Sequence, residues 1–453
     1  MVDSAIDSYA QDSGIPADSE TGSEAAETGE TGSGDLIELG PDVFAGRNVV
    51  VISVDTLGAN WVGTGYTLNL DGILEESVQL QNHNCSTAWT PPCMASLVAG
   101  SQATDLGTDI LGFGSGVGFN VVPDSRTLFP EILQESGYST YLLTENSLFG
   151  GGTNTGQGFQ TYVNSDVTSG KGALTADVTA FAAQVVTLNA TGTPFLAWFH
   201  PIAPHTPYID ADQDAALYAA CTDGKDELPD DVSLYDDKMS EVVADAWDSY
   251  DDDTKSNIVD QVTCAYGAQV AWTDEVVFKN LWEELLSSGA FDNTVVVLVS
   301  DHGEELNDHE GEWGHNRHAY GVLNHVLGAF WAPDIAPQTV TIPTNMGDVA
   351  PTLLGALGLE VSPDMTGSAV WEIPSDRIQD FYACDMSGKT HYAALNMEGV
   401  KQHRTPQGNV ETYDIFTDPE ETGTASTVTD ADLQSAIDTL RITAQDEEWC
   451  GGN

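Results

Sequence analysis

The chain is poor in basic residues. Its 453 residues include 13 Lys and Arg but 71 Asp and Glu, and the formal net charge is -58 at pH 7. Nucleic acids and anionic membrane surfaces are contacted mainly through Lys and Arg, so both are poor partners and we expect no nucleic acid ligand. The range of repulsion between like charges is about 8 Å at physiological ionic strength but only about 3 Å at 1 M salt. The composition therefore favours a halophilic protein, with an acidic secreted protein from an ordinary environment as the alternative.

The sequence also lacks long apolar runs and an export signal. No segment reaches the roughly 18 apolar residues of a membrane-spanning helix, and the first residues do not form a signal peptide. Residues 1–45 contain no Lys or Arg and show little hydrophobic periodicity, which predicts a disordered acidic tether. Such tethers often join a folded domain to a membrane anchor or an export signal. We expect an extracytoplasmic protein, periplasmic, secreted or surface-anchored, whose targeting segment was removed or never present.

Cysteine is scarce, but its count is even. Six cysteines are compatible with disulfides in an oxidising compartment. We expect bridges between Cys221 and Cys264 and between Cys384 and Cys450, with Cys85 and Cys93 as a third candidate pair. The sequence alone does not fix this connectivity.

Apolar strands and amphipathic helices alternate along the middle of the chain. Continuous apolar or β-branched runs are typical of strands buried on both faces. The alternation predicts an α/β fold in which a mostly parallel sheet is sandwiched between helices, within a large domain of residues 46–376. Residues 377–453 change to short strands and a last helix, which predicts a small C-terminal subdomain with an antiparallel sheet. The strands predicted in the large domain are 47–54, 138–144, 194–200, 294–300 and 325–331, and its helices are 172–189, 258–288 and one from about 347.

Polar side chains follow three of these predicted strands. In open α/β sheets, ligands bind outside the carboxyl ends of the strands, so we expect these side chains to share a site. Asp301, which follows strand 294–300, has an alternative role as a helix N-cap, and His302 would then be a polar loop residue. The residues are Asp55 after strand 47–54, His200 and His205 at and after strand 194–200, and Asp301 and His302 after strand 294–300.

A hydroxyl precedes a predicted small-residue helix at Thr90-Pro91-Pro92. The positive end of a helix stabilises an anion, so Thr90 is placed to act as a nucleophile, with a simple N-cap as the alternative. A bound cation can lower the pKa of a water oxygen from about 15.7 to about 7, which corresponds to roughly 12 kcal/mol. General base catalysis by one histidine accelerates a reaction by only about 10²- to 10⁴-fold. We therefore expect a divalent metal held by Asp55, Asp301 and His302. Mixed oxygen and nitrogen ligands suit Zn, Mn or Mg better than Ca, which stays open.

Short motifs between about residues 47 and 425 follow one another in a specific order. They are Val54-Asp55-Thr56-Leu57, Trp89-Thr90-Pro91-Pro92-Cys93-Met94-Ala95-Ser96-Leu97 with Gly100, Pro204-His205-Thr206-Pro207-Tyr208, Ser300-Asp301-His302-Gly303-Glu304, Gly314-His315-Asn316, Asp348-Val349-Ala350-Pro351-Thr352-Leu353-Leu354, and Tyr413-Asp414-Ile415 with Asp418-Pro419-Glu420. In this order they resemble the sulfatase family within the alkaline phosphatase superfamily. Each motif is weak singly, but the joint order is specific.

The resemblance implies a role for each candidate residue. It implies a metal site, a nucleophile beside it, one histidine that contacts the ester oxygens and another that assists the leaving group. The residues are Thr90, His205 and His315 for catalysis, Asp55, Asp301 and His302 for the metal, and Asn146 and Arg317 for binding the substrate.

The chain departs from the family at the nucleophile. Family sulfatases carry CxPxR, whose Cys is oxidised to formylglycine, whereas Thr90 stands at the Cys position and Met94 at the Arg position. Neither Cys85 nor Cys93 begins such a motif. An intact hydroxyl is what the superfamily's phosphatases, phosphodiesterases and transferases use. We therefore expect a metal-dependent hydrolase or transferase of small-molecule, glycan or lipid esters; the family suggests sulfate esters, and the residues favour phosphate esters.

Two alternatives remain at this stage. Family sulfatases hold the sulfate group with a Lys and a His, and the resemblance implies that both are replaced around residues 144–147. This loss and the acidity favour a non-catalytic surface or binding protein that retains the fold. It is opposed by the preserved set of candidate ligands and catalytic side chains. The second alternative concerns His309 and His318, which are candidates for an additional metal ion.

Overall fold

The structure, a computed structural model, describes most of the chain from residue 36 onward. The described residues are 36–107, 113–114, 118–119, 121–165, 174–208, 215–236, 238–385 and 388–450. Most of the predicted tether, residues 1–35, lies outside them, so the tether stays a prediction. Within these ranges, no helix combines the length and the apolar character needed to cross a membrane.

Strands and helices alternate along the described chain, as the sequence predicts. The strands are β1 Asn48–Val54, β2 Val78–Leu80, β3 His83–Asn84, β4 Phe113–Gly114, β5 Gly118–Phe119, β6 Ser139–Thr144, β7 Thr161–Asn164, β8 Phe195–His200, β9 Thr294–Ser300, β10 Glu305–Leu306, β11 Trp313–Gly314, β12 Gly328–Trp331, β13 Gln338–Val340, β14 Thr344–Asn345, β15 Gln379–Cys384, β16 Thr390–Leu395, β17 Val400–Arg404 and β18 Val410–Asp414. The helices are α1 Leu68–Glu75, α2 Thr90–Ala99, α3 Ala103–Leu106, α4 Phe129–Glu135, α5 Leu174–Ala190, α6 Ala215–Thr222, α7 Met239–Ala246, α8 Asp252–Thr273, α9 Trp282–Ser287, α10 Gly321–Asn324, α11 Val349–Ala356 and α12 Ala431–Asp446. A π-helical segment, Asp274–Leu281, joins α8 to α9.

An eight-stranded sheet forms the centre of the fold. Its strand order is β13-β2-β12-β9-β1-β8-β6-β7, and the strands from β9 to β7 are parallel. The antiparallel strand β12 pairs with β9 and β2 and so ends this parallel part. Val49 of β1 pairs with Leu196 of β8 and Val295 of β9, so the carboxyl ends of three strands lie side by side. The predicted mostly parallel sheet is confirmed.

Alternate residues of the central strands pack on opposite faces of this sheet. In β1, Val49 and Val51 belong to one hydrophobic core, whereas Val50 and Ile52 belong to the other. A strand buried on both faces needs apolar residues at every position, which explains the unbroken apolar run in the sequence. Helices α2, α4 and α11 contribute to the first core, and α1, α5, α8 and α9 contribute to the second. The predicted sandwich of sheet and helices is therefore confirmed.

A smaller antiparallel sheet of β15, β16, β17 and β18 follows the large one. Helix α12 packs against it and buries Leu433, Ile437 and Leu440, whose spacing of four and three residues places them on one face. The predicted C-terminal antiparallel sheet and its last helix are confirmed. The domain boundary at residue 377 stays a prediction.

Three disulfides pair all six cysteines. The bridges are Cys85–Cys93, Cys221–Cys264 and Cys384–Cys450, and they confirm the pairs considered from the sequence. The first bridge ties the loop before α2 to the first turn of that helix. The other two join α6 to α8 and β15 to the segment after α12.

Candidate active site

The carboxyl ends of β8, β1 and β9 bring the predicted site residues together. Asp55 directly follows β1, His200 ends β8, and Asp301 and His302 directly follow β9. Because these three parallel strands are neighbours in the sheet, their last residues meet at one edge. All four side chains are completely buried.

One carboxylate oxygen of Asp301 accepts hydrogen bonds from backbone groups, and the other oxygen accepts none. Its Oδ1 accepts hydrogen bonds from the backbone N–H of Thr56 at 3.0 Å and of His302 at 2.8 Å. Its Oδ2 is buried without a hydrogen-bond partner and lies 3.5 Å from His302 Nε2. The alternative in which Asp301 caps a helix does not apply, because β10 and not a helix follows it.

Thr90 is the first residue of α2, and its hydroxyl faces the same cluster. Thr90 Oγ1 lies 3.3 Å from His302 Nε2 and 3.5 Å from Asp55 Oδ2. Pro91 and Pro92 follow in the first turn, and Trp89 occupies the N-cap position but provides no side-chain capping bond. The Thr90 hydroxyl therefore contacts an acid and an imidazole at the positive end of a buried ten-residue helix.

Asn146 joins this group from the turn after β6. Its Nδ2 donates to Asp55 Oδ2 at 2.6 Å and lies 3.4 Å from Thr90 Oγ1. Its Oδ1 accepts from the backbone N–H of Leu148 at 2.8 Å, which fixes the orientation of the amide. The structure thus places this predicted substrate-binding residue against both the predicted nucleophile and a predicted ligand.

His200 belongs to the site, although the ligand set predicted from the sequence omits it. Ser53 Oγ lies 2.8 Å from His200 Nδ1 and accepts from Trp198 Nε1, also at 2.8 Å. His200 Nε2 lies 3.5 Å from Asp55 Oδ2 and has no hydrogen-bond partner. The position of His200 at a strand end is a usable signal, but choosing it as a ligand requires the strand order.

The donor atoms fit a divalent cation. Asp55 Oδ1, Asp301 Oδ2 and His200 Nε2 are buried without hydrogen-bond partners, and one ligand atom from each of these residues lies within 4.8 Å of the others. Buried polar atoms without partners are costly, and a cation would satisfy all three. His302 Nε2, 3.8 Å from Asp55 Oδ1, is a further donor beside them. Oxygen and imidazole donors suit Zn, Mn or Mg.

Burial and like charge determine the ionisation of this cluster. Burial, together with the charge of Asp55, raises the pKa of Asp301 to about 7. Burial opposes ionisation of Asp55, but the charges of His205 and His200 hold the pKa of that carboxyl below its usual range. Burial lowers the pKa of His302 to about 3, so this imidazole is neutral at neutral pH. A neutral imidazole beside two buried acids is the form that binds a metal.

A cleft opens beside the cluster and contains the other predicted residues. Its volume is about 210 Å³, and its lining includes His205, His315 and Arg317. The His315 ring centroid lies 4.6 Å from that of His302 and 5.0 Å from that of His205. His315 Nδ1 lies 3.2 Å from Glu304 Oε1, and the Glu304 carboxylate outweighs burial and raises the pKa of His315.

His309 and His318 do not join this cluster. They lie against Glu305 in a separate group, in which one ligand atom from each residue again lies within 4.8 Å of the others. Both histidines are metal candidates from the sequence, which indicates no partner for them. Glu305 has no distinctive sequence signal, because it is a second acid directly after Asp301-His302-Gly303-Glu304.

Known proteins share this fold and sequence pattern. The family model for sulfatases matches residues 47–359 of the chain. Arylsulfatase G of Rattus norvegicus is 31% identical over 108 residues, 21% of this chain and 19% of the relative. A sulfatase of Formosa agariphila is 28% identical over 161 residues, 35% of this chain and 31% of the relative. These alignments therefore span less than a third of each curated relative.

Solved structures match over most of the chain. BT4656, solved with its substrate D-glucosamine-2-N,6-O-disulfate, has a TM-score of 0.67 at 18% identity and covers 90% of this chain and 100% of its own. The phosphonate monoester hydrolase of Agrobacterium radiobacter has a TM-score of 0.58 at 17% identity, with 89% and 95% covered. A protein in the alkaline phosphatase superfamily from Vibrio parahaemolyticus has a TM-score of 0.56 at 17% identity, with 91% of each chain covered. The fold is thus alkaline phosphatase-like, and the chain belongs to the sulfatase family.

Proposed function

We propose that the chain is a metal-dependent ester hydrolase that uses Thr90 as its nucleophile and prefers phosphate esters to sulfate esters. The observation that carries this proposal is the position of Thr90 Oγ1, 3.3 Å from His302 Nε2 and 3.5 Å from Asp55 Oδ2, at the N-terminus of a buried helix. Membership of the sulfatase family supports ester hydrolysis. The phosphonate monoester hydrolase among the structural neighbours supports chemistry at phosphorus on this fold.

Asp55 and Asp301, with His200, His302 or both, would hold the divalent cation. When bound there, the cation supplies a Lewis acid that lowers the pKa of a nearby hydroxyl and polarises an ester oxygen. Asn146 keeps Asp55 in place through its 2.6 Å hydrogen bond and orients the Thr90 hydroxyl from the other side. The residues of the chain thereby fix where the nucleophile stands before a substrate arrives.

Thr90 would attack the phosphorus of the ester. The Thr90 hydroxyl loses its proton to solvent as Oγ1 bonds to phosphorus, the bond from phosphorus to the alcohol oxygen breaks, and the departing oxygen takes a proton from His315 or His205. In the second step the same histidine takes a proton from the attacking water, the bond from phosphorus to Thr90 Oγ1 breaks, and Oγ1 recovers a proton from solvent. The product is phosphate, a phosphate monoester or a phosphonate, according to the substrate. A second alcohol in place of water gives a transferase.

The charge of the cleft bears on the substrate class. Arg317 provides the permanent positive charge of the cleft lining, which also contains Glu241 and Glu304. A phosphodiester or a phosphonate monoester carries one negative charge at neutral pH, whereas a phosphate monoester carries nearly two. Beyond the proposed divalent cation and the cleft histidines, one arginine beside two acids neutralises little additional negative charge, which favours the singly charged ester. We therefore place phosphodiesters and phosphonate monoesters before phosphate monoesters. Sulfate monoesters come last, because Thr90 would stand where the sequence resemblance puts the formylglycine cysteine of family sulfatases.

A substrate panel on matched variants tests this proposal. Aryl sulfate, phosphate monoester, phosphodiester and phosphonate monoester would be assayed with added Mn, Zn, Mg or Ca. Replacing Thr90 with Ala removes the nucleophile, and we expect activity to fall by about 10³-fold or more while metal content is unchanged. Thr90→Ser keeps the hydroxyl and should stay within about tenfold of the natural protein.

Thr87→Ala is the matched control. Thr87 is a second buried hydroxyl just before α2, and it lies 3.2 Å from Cys93 Sγ, outside the cluster of acids and imidazoles. Its loss should leave turnover within about twofold. Full activity in Thr90→Ala would overturn the nucleophile assignment. Silence of the natural protein across the whole panel would instead favour the non-catalytic binding protein.

A further inference from the structure

We propose that Glu305, His309 and His318 form a second metal site, which binds Zn²⁺ and clamps the loop that carries His315 and Arg317. The three donors are one carboxylate and two imidazoles. This set is a common zinc ligand set, with room for a further ligand. It shares no residue with the candidate active site, and the inference does not rest on the proposed function.

The geometry of the three donors carries the inference. Glu305 Oε2 lies 2.9 Å from His309 Nδ1 and 3.0 Å from His318 Nε2, so one oxygen faces both rings. A tetrahedral centre with bonds of about 2.0–2.2 Å separates its ligand atoms by roughly 3.3–3.6 Å. Small rotations of the side chains would open the observed distances to this range.

One donor is buried without a hydrogen bond, which is the independent observation. The His318 side chain is 5% exposed, and its Nε2 lies 3.0 Å from Glu305 Oε2 without a well-aligned hydrogen bond. His318 Nδ1 accepts from the backbone N–H of Tyr320 at 3.4 Å, so Nε2 carries the ring proton, and a cation bound to Glu305 would replace that proton. His318 Nε2 is thus a buried donor aimed at the shared carboxylate oxygen.

Surrounding groups hold the other two donors in position. Glu305 Oε1 accepts from the backbone N–H of His309 at 2.9 Å, which leaves Oε2 for the two rings. His309 Nε2 lies 3.0 Å from the carbonyl oxygen of Glu421, so Nδ1 is the nitrogen presented to Glu305. Metal-binding histidines usually donate their other ring N–H to a carbonyl or carboxylate in this way. The Tyr320 ring stacks on His309 at a centroid distance of 4.1 Å.

The carbonyl that orients His309 is itself fixed. The Glu421 side chain is completely buried, and it accepts from Lys401 Nζ at 3.1 Å and lies 3.0 Å from His403 Nε2. Glu421 thereby links the loop after β9 to the C-terminal antiparallel sheet. A metal on Glu305 would tie together β10, the turn at His309 and the loop at His318, and would brace the cleft residues between them.

Charge favours a divalent cation at this position. One carboxylate and two neutral imidazoles with Zn²⁺ give a local charge of about +1. The protein as a whole has a net charge of -58. The negative electrostatic potential of the whole protein therefore favours the binding of a cation at this site.

Metal counting on matched variants tests the second site. Each protein would be stripped of metal, titrated with Zn²⁺ or Co²⁺ and analysed for bound metal per chain. We expect two equivalents in the natural protein, one in His318→Gln and in His309→Gln, and one in Asp301→Asn. His325→Gln is the control, because His325 Nδ1 also lies against an acid, Glu420 at 3.4 Å, and should keep two equivalents. The Co²⁺ absorption of the second site should disappear in the first two variants.

Thermal unfolding keeps the test decisive if a variant folds poorly. In the Asp301→Asn background, Zn²⁺ should raise the melting temperature through the remaining site, and adding His318→Gln should abolish that rise. The inference is overturned if His309→Gln and His318→Gln bind as much metal as the natural protein. It is equally overturned if Zn²⁺ has no effect in the Asp301→Asn background, which would identify Glu305, His309 and His318 as an ion-paired cluster.

Discussion

At the scale of single residues, the two oxygens of Asp301 illustrate how this site is built. Two backbone N–H groups hold Oδ1, and this leaves the buried Oδ2 for a ligand. The position of Thr90 at the start of α2 likewise directs its hydroxyl toward Asp55 and His302. Backbone groups from two elements thus position Asp301, whereas the start of its own helix positions Thr90.

Asp380 on β15 is a half-buried carboxyl outside the site, and its contribution to stability depends on pH. Burial, together with the charge of Asp105, raises the pKa of Asp380 from 3.8 to about 7, and Oδ1 has no hydrogen-bond partner. The folded state therefore holds this proton more tightly than the unfolded chain does. The contribution of Asp380 to the free energy of unfolding is fully present below about pH 4. It decreases by at most about 4 kcal/mol as the pH rises to about 7.

Asp380→Asn should remove this pH dependence. The amide cannot ionise, so we expect the variant to be more stable than the natural protein at pH 8 and nearly equal to it at pH 4. Denaturant unfolding at both values measures the difference. The same stability gap at the two pH values would contradict the assignment.

At the scale of elements, α1 is capped by a residue from a distant helix. Asp274, at the start of the π-helical segment, accepts from the backbone N–H of Asn69 at 3.0 Å and of Leu70 at 2.9 Å. Thr67, the N-cap residue, provides no such bond, because its hydroxyl donates to Asp71. The start of α1 therefore depends on tertiary contact rather than on its own sequence.

Removing this cap should destabilise the fold. Asp274→Ala leaves one buried and one partly buried N–H group without their acceptor, and we expect a loss of about 1–3 kcal/mol in the free energy of unfolding. Asp253→Ala is the control, because Asp253 is exposed on α8 and its loss should change stability by less than about 0.5 kcal/mol. Equal effects of the two substitutions in denaturant unfolding would refute the capping role.

At the scale of the whole molecule, the sequence predicts the layers better than it predicts the contacts. Strands β1 and β9 are recognisable because unbroken apolar runs are required where both faces are buried. The π-helical segment Asp274–Leu281 is not recognisable, because its hydrogen-bond register has no distinct residue pattern. His200 becomes a ligand candidate only when β8 is known to lie beside β1, and Glu305 only when His309 and His318 are seen to converge on it. The halophilic setting, the location and the substrate stay predictions.

Trapping the covalent intermediate is the most direct test of Thr90 as the nucleophile of an ester hydrolase. The protein would be mixed with a phosphodiester or phosphonate monoester carrying a radiolabelled phosphorus, quenched in acid during turnover, digested and mapped by mass spectrometry. We expect label on the peptide that contains Thr90, label on serine in Thr90→Ser, and none in Thr90→Ala. Turnover of the substrate with no label on residue 90 in any of these proteins would contradict it.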